Sequence, residues 1–336
     1  MKLANEIVQS ILDAEKIVIT SHKSPDGDSI GSSLGMLRFI QALGKDAKIC
    51  HPDSCPSFIE WLKDGVEIVD FDESQDRVIS LMDEADLIFC LDYNGSNRLG
   101  KDMGGVLLAA DAKKIMIDHH PYPEDIFHLS ASHPEVCSTS QLVIELILKS
   151  GNENLLNQSI GTPLYLGIVT DTGSFRFSSV TSRTHELIGK LLENGVQQAE
   201  VHEKSFNHNR LDQMKLRGFA IAEKLEVMVD EELAIVSLSE VDLERFNYIK
   251  GDTEGLVNVA LSIEGVSVAI MMTESDGKVK MSFRSMGSIV VNKFAGDHFD
   301  GGGHMNAAGG ISFLSLEETI EKVKSLAPSY FGKTDA

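Results

Sequence analysis

Four places in the chain set aspartates and histidines directly after apolar runs. KIVIT runs into HKSPDGDSIGSS, which brings His22, Asp26 and Asp28 close together. DLIFCLD closes on Asp92, KKIMIDHH closes on Asp118, His119 and His120, and the apolar stretch of GIVTDTGSF stops at Asp171. Four carboxylates in one crevice (Asp26, Asp28, Asp92 and Asp171) would repel strongly unless cations lay between them. Two divalent ions balance that charge. Carboxylate and imidazole donors without thiolate suit manganese, ahead of magnesium, cobalt or iron. Taken singly, each piece has a plainer account. Pro25-Asp26-Gly27 makes an ordinary turn, with Asp28 or Ser29 capping the next helix. Asp92 and Asp171 could be caps too, and paired histidines in a loop are usually surface residues. Four coincidences at strand ends are a weaker account than one shared site.

The elements that would position these groups alternate. KIVITSH leads into a helix from about Ser29 to Leu43; DAKIC, VEIVDF, DLIFCLD and KKIMIDHH read as strands. TSQLVIELILKSG and SRTHELIGKLLENG have helical periodicity and end on glycine. Such alternation predicts a parallel α/β sheet with helices on both faces, whose strand ends converge on one crevice. From about His208 the texture changes. LDQMKLRGFAIAEKLEVM reads as a helical connector, followed by the strand candidates LAIVSLS, VSVAIMMTE and KVKMSFRS. Helical stretches near Thr253–Ile263 and Leu316–Leu326 accompany them, with the glycine-rich GDHFDGGGHMNAAGG before the last. The expected layout is a catalytic domain over 1–207, a connector over 208–225 and a smaller α/β domain over 226–336.

Composition narrows the partners. The 336 residues suit two domains, and no apolar run approaches the ~20 residues of a membrane span. Leu3, Ile7, Val8, Ile11 and Leu12 recur at helical spacing among acids, so the N-terminus reads as a docked amphipathic helix rather than a signal peptide. Cys50, Cys55, Cys90 and Cys137 show no metal-type pairing, which suits idle thiols in a reducing cytosol. A net charge of −21 repels long polyanions, so any nucleic acid handled here is short or held by a local cluster of cations.

HKSPDGDSIGS, LDYNGSNRLG, IDHHP and GIVTDTGSFRF resemble, in order, the four motifs of the DHH phosphoesterase superfamily. SFRS and GGGHMNAAGG are similar to the small substrate-binding domain that follows DHH in one subgroup. Together the motifs resemble the nanoRNase (NrnA-type) branch over nearly the whole chain, and no motif position is substituted. The resemblance implies one metal held by His22, Asp26 and Asp92. It implies a second held by Asp28, Asp92, His119 and Asp171, with Asp92 shared. His120 would contact the substrate or the leaving group, and so count with Asp92 as catalytic, while Asp118 would orient the histidines from behind.

No serine or cysteine stands out as a nucleophile, so the expected chemistry is metal-assisted hydrolysis of a phosphoester. Arg98, Arg176, Arg284 and His304 are the cations available to a substrate. Guanidinium forks suit phosphate oxygens, which puts Arg284 and Arg98 first; Arg176 reads equally well as a surface partner for an acid. Gly301-Gly302-Gly303 would let backbone N–H groups approach a ligand, and Gly302, Gly303 and His304 resemble the family's nucleotide-gripping loop. The resemblance implies degradation of RNAs a few nucleotides long to nucleoside 5′-monophosphates, and removal of the 3′-phosphate of 3′-phosphoadenosine 5′-phosphate (PAP). The partners expected are short RNA oligonucleotides and nucleotides. No long duplex nucleic acid and no membrane is expected, and a homodimer is allowed. Rival readings are a linear or cyclic dinucleotide phosphodiesterase, a pyrophosphatase or short-chain polyphosphatase, and a metal-dependent nucleotide sensor that turns nothing over.

Overall fold

A computed structural model describes residues 2–207, 209–230 and 232–331, which fall into two units, Met1–His208 and Asn209–Ala336. The expected boundaries at 208 and 336 lie outside the described residues. The first unit runs α1 (Lys2–Asp13), β1 (Ile17–Thr20), α2 (Gly27–Ala42), β2 (Ala47–His51), β3 (Ile68–Asp70), α3 (Gln75–Asp83), β4 (Leu87–Leu91), α4 (Lys101–Ala109), β5 (Lys113–Asp118) and β6 (Leu129–Ser132). Four helices follow: α5 (Thr139–Lys149), α6 (Gln158–Asp171), α7 (Ser182–Glu193) and α8 (Gln198–Phe206).

All six strands are parallel, in the order β3-β2-β1-β4-β5-β6. Side chains alternate across the sheet, and both faces are covered, which is why the strands read as unbroken apolar runs. Ile17, Ile19, Phe89, Ile115 and Ile117 join the core under α1, α2, α5 and α6. Val18, Ile88, Cys90 and Met116 join the one under α3 and α4. The chain winds from β1 out to β3, then restarts at β4 on the other side of β1. The carboxyl ends of β1 and β4 therefore flank the point where the winding reverses, the place where open α/β sheets bind ligands.

One element departs from expectation. The apolar stretch before Asp171 is not a strand but the buried helix α6, so Asp171 ends a helix. Apolar runs of this length do not distinguish strand from helix by periodicity. What holds α6 in place is a glycine seam on α2, in which Gly27, Gly31 and Gly35 recur every fourth residue on one face. A Cβ at Gly31 would lie 2.4 Å from the Pro163 carbonyl oxygen, and one at Gly35 would lie 2.4 Å from Leu164 Cδ2. The two helices that carry Asp28 and Asp171 thus touch backbone to backbone. Gly31→Ala is expected to pry them apart and destabilise the fold by about 1–3 kcal/mol, the usual cost of overpacking. A denaturant titration measures this, and an unchanged midpoint would show that the seam is not the constraint.

The second unit comprises α9 (Leu211–Glu223), β7 (Leu225–Met228), β8 (Leu233–Leu238), α10 (Glu240–Arg245), α11 (Leu256–Leu261), β9 (Val268–Ser275), β10 (Lys278–Ser285), α12 (Val291–His298), β11 (Gly302–His304), β12 (Ala307–Ser312) and α13 (Leu316–Tyr330). Its sheet runs β11-β12-β10-β9-β8-β7 and is antiparallel except for the β8–β9 pair. Helices α12 and α13 pack on one face with Val279, Met281 and Phe283. On the other face, α9, α10 and α11 cover Ala234, Val236, Ala269 and Met271. The helix expected as a connector is built into this second core through Leu216 and Ala220, and the end of the expected helical stretch is strand β7. Among the described residues no helix is long and apolar enough to cross a membrane.

Candidate metal centre and phosphate-binding residues

His22 follows β1, Asp92 follows β4, and Asp118-His119-His120 closes β5, so three neighbouring strands deliver their polar ends to one place. Asp26 is the N-cap of α2. Its Oδ1 accepts from the backbone N–H groups of Asp28 and Ser29, each at 3.0 Å. A capped turn does open the helix, but the cap is not the expected Asp28 or Ser29, which lie inside the first turn; it is Asp26. The same carboxylate turns its other oxygen to His22, with Oδ2 3.7 Å from Nε2. Asp28, the second residue of α2, is fully buried against the start of α5, where the N–H groups of Thr139 and Ser140 donate to it at 2.7 and 2.9 Å. Glycine at 167 makes this approach possible, since a Cβ there would sit 2.8 Å from Asp28 Oδ1 and 2.0 Å from Ser140 Oγ.

Asp92 occupies the middle. Its Oδ2 lies 3.4 Å from His22 Nε2 and its Oδ1 lies 3.4 Å from His119 Nε2. The residue is held in the left-handed region (φ 64°), a strained conformation for an aspartate that the surrounding structure must enforce. Its N–H donates to the Ile117 carbonyl and its Oδ1 accepts from Thr139 Oγ1. His119 Nε2 also reaches Asp171 Oδ2 at 3.2 Å and Asp28 Oδ2 at 4.0 Å. Among the described residues of this unit three donor groups result, His22–Asp26–Asp92, Asp28–His119–Asp171 and Asp92–Asp118–His120, each with its ligand atoms within 4.8 Å of one another. Asp92 offers one oxygen to each side.

The histidines are held in two different ways. His22 Nδ1 meets the Lys23 carbonyl at 2.9 Å and His119 Nδ1 meets the Val136 carbonyl at 3.3 Å. A carbonyl only accepts, so Nδ1 carries the proton in both rings and Nε2 faces the carboxylates, the usual arrangement for a metal-binding imidazole. His120 Nδ1 instead pairs with Asp118 Oδ1 at 2.7 Å, and its Nε2 lies 3.5 Å from Arg98 Nη2. Asp118 thus reaches one of the two histidines it was expected to orient; a backbone carbonyl orients the other. Its second oxygen is buried with no hydrogen-bond partner, as is Arg98 Nε.

Electrostatics show what this crowding demands. Burial and the neighbouring Asp92 push the Asp28 carboxyl up to about 7. Burial, then Asp28, raises Asp171 well above the usual carboxylate range. Burial disfavours charge on His22, yet Asp26 and Asp92 outweigh it and raise the imidazole to about 9. The same contest, won by Asp92 and Asp171, raises His119. Asp92 is buried too, but its histidine contacts hold it well below the carboxylate range. Protons collect where positive charge is wanted. Two divalent cations fit this donor set better, because they would satisfy all four carboxylates at once.

In the second unit, sheet register gathers the other candidates. Arg284 on β10 and His304 on β11 both pair with Ala307 of β12. Directly opposed residues share a face, so the two side chains stand on the same side, about 10 Å apart by strand spacing. The glycine run divides. A Cβ at Gly301 would lie 2.2 Å from the Gly309 carbonyl oxygen and one at Gly303 2.6 Å from that of Ala307, so packing against β12 already requires those two glycines. Gly302 alone faces open space. Arg176 is exposed, and its Nε donates to the Gly173 carbonyl of its own loop at 2.6 Å. Sequence reasoning missed Thr139 and Ser140, which grip Asp28 and Asp92. The polar run CSTSQ ahead of an apolar helix was their one signal.

Residues 16–168 match the DHH family, N-terminal domain, and residues 231–331 match the DHHA1 domain. The chain is 30% identical to the bifunctional oligoribonuclease and PAP phosphatase NrnA of Thermus thermophilus, over 96% of this chain and 92% of that one. It is 27% identical to the cyclic-di-AMP phosphodiesterase GdpP of Bacillus subtilis, covering 98% of this chain but 50% of that longer one. Among solved structures, an exopolyphosphatase-related protein from Bacteroides fragilis superposes with a TM-score of 0.94 at 36% identity, over 98% and 96% of the two chains.

Proposed function

The chain belongs to the DHH family, with a DHHA1 domain behind the catalytic one, and from that premise we propose that it hydrolyses short oligoribonucleotides to nucleoside 5′-monophosphates and removes the 3′-phosphate from PAP. The observation that carries the reading is Asp92, a buried carboxylate on a strained backbone with one oxygen turned to each of two histidine–carboxylate groups. His22, Asp26 and Asp92 would hold one divalent ion; Asp28, Asp92, His119 and Asp171 would hold the other. Manganese is the ion proposed, on the donor set of oxygen and imidazole without sulfur. Bound, such a pair supplies the positive charge that lets water ionise near neutral pH and that stabilises the attacked phosphate.

The chain's own residues do the rest. His120 is braced by Asp118 and places its Nε2 beside Arg98, which suits it to deliver a proton to the departing oxygen while Arg98 holds a phosphate oxygen. Arg284 and His304, with Gly302 open to space, would grip one nucleotide of the substrate. The four cysteines are unpaired, in keeping with work in the reducing cytoplasm. A manganese-supplemented assay offering a labelled RNA length series, PAP, pyrophosphate and a cyclic dinucleotide tests the proposal. RNAs of roughly two to five nucleotides should be cut faster than 20-mers, which this acidic surface repels. Preference for pyrophosphate would overturn the reading. Preference for the cyclic dinucleotide would favour the activity named for the Bacillus relative. Arg284→Ala should lose about 1.5–3 kcal/mol of transition-state binding on a dinucleotide, the range for a charged hydrogen bond. It should change little on a small phosphodiester that carries no second nucleotide. An equal loss on both would give Arg284 a structural role instead.

A further inference from the structure

The second unit contains a cavity of about 340 Å³, within the size range of small-ligand sites, that the roles above use only at one end. Its origin lies in the pleat of β10. Val279, Met281 and Phe283 point into the core under α12 and α13, so Lys280, Ser282 and Arg284 must line the opposite face. Helices α9 to α11 cover that face over β8 and β9, and α11 reaches β10 as well. The cavity lies between the outward side chains of β10 and the start of α11. Lys250 and the half-buried Tyr248, from the segment between α10 and α11, form its far wall.

The charge of this cavity runs against that of the chain. Lys250, Lys280 and Arg284 face it with Glu254 as the only carboxylate in its lining, in a protein of net charge −21. The cations are also spread out. Lys280 and Arg284 stand four residues apart on one strand, about 13 Å by strand rise, with the Ser282 hydroxyl between them. One phosphate cannot reach both ends, whereas successive phosphates of a single strand can. An aromatic edge beside a line of cations and hydroxyls is the usual composition of a surface that follows single-stranded nucleic acid.

We propose that this cavity is a track for the phosphates of single-stranded RNA beyond the nucleotide gripped at Arg284, and that it sets how strongly four- and five-nucleotide substrates are held relative to dinucleotides. The inference rests on the reading of Arg284 as a substrate-gripping residue. Lys250 and Lys280 belong to the track and to no part of the chemistry.

Two exposed lysines can be replaced without touching either core. The full-length protein with Lys280→Gln, with Lys250→Gln and with both is compared with the unaltered chain on a dinucleotide and a pentanucleotide. The expected result is a three- to tenfold rise in KM for the pentanucleotide in the double variant, roughly what loss of one or two exposed phosphate contacts costs. Its kcat should be unchanged, as should both parameters on the dinucleotide. Fluorescence anisotropy of a labelled pentanucleotide on metal-free protein should show the same weakening, with the salt slope shallower by about 0.7 per lysine removed. Unchanged pentanucleotide KM and anisotropy would overturn the track, as would an equal loss on both substrates. Full displacement of the pentanucleotide by a nucleoside 5′-monophosphate at equal phosphate concentration would also overturn it, revealing a pocket for one free nucleotide instead. If the protein cut no RNA at all, the reading of its function would fail, yet lysine-dependent anisotropy would still support the track.

Discussion

Asp92→Ala is expected to leave a folded protein whose hydrolysis of short RNA and PAP falls by at least about 10³-fold, beyond what removal of one stabilising group usually costs. The size of the effect follows from the position of the side chain. Its two oxygens face different histidines at 3.4 Å, so a single truncation takes a ligand from both proposed ion sites and shifts the charge balance of each. The fold should survive for a reason specific to this crowding. Asp92 is 2% exposed between two histidines and neighbouring carboxylates, so removing it loses its pairing with His22 and His119 but relieves its repulsion of Asp28, two effects of opposite sign. Alanine does not relieve the left-handed backbone at this position, and Asp92→Asn provides the control. Asparagine tolerates that conformation, keeps the shape and removes only the charge. Both variants should melt near the unaltered protein in chelator and bind less manganese on metal analysis. Near-normal turnover by either folded variant would refute the shared-ligand arrangement.

Much of this centre was legible because parallel strands buried on both faces end abruptly. An apolar run such as DLIFC has no other reason to stop on an acid, and in a doubly wound sheet all such stops lie at one edge. His22, Asp92 and Asp118-His119-His120 were therefore found by pattern. Asp171 was found with the wrong support, since PLYLGIVTD is apolar on every side and carries no periodicity. It is helical because the glycines of α2 let a helix lie against it, a long-range requirement that no local window contains. Strands β6, β11 and β12 were not legible either. LSAS, GGH and AAGGIS are built from small residues, and they extend only because a neighbouring strand supplies hydrogen-bond partners. The glycine run answers to a long-range requirement too. GGG invites the idea of a ligand loop, while close approach of β12 accounts for two of its three residues.

The two adjacent histidines should separate when each is replaced in turn. His119→Ala is expected to reduce both bound metal and turnover, whereas His120→Ala should keep near-normal metal and lose about 10² to 10⁴ in kcat, the usual contribution of a positioned acid or base. The difference is already present in what holds each ring. His119 leans on a neutral carbonyl and turns Nε2 to Asp92 and Asp171, in the manner of a ligand. His120 leans on the Asp118 carboxylate at 2.7 Å, and its Nε2 stands beside Arg98. A ring braced by a carboxylate is strengthened as a proton carrier, and a neighbouring guanidinium suits it to meet a phosphate rather than a cation. His120 Nδ1 does approach Asp92 Oδ1 at 3.8 Å, but its shorter bond to Asp118 already occupies that nitrogen. A second substitution guards against a merely structural effect. Asp118→Asn keeps the shape and weakens the brace, so it should lower kcat in the same direction as His120→Ala, again without metal loss. Metal analysis of the three purified variants, alongside kcat on a dinucleotide, decides the matter. Equal metal loss in His119→Ala and His120→Ala would show that both histidines are ligands and that the proton must come from elsewhere.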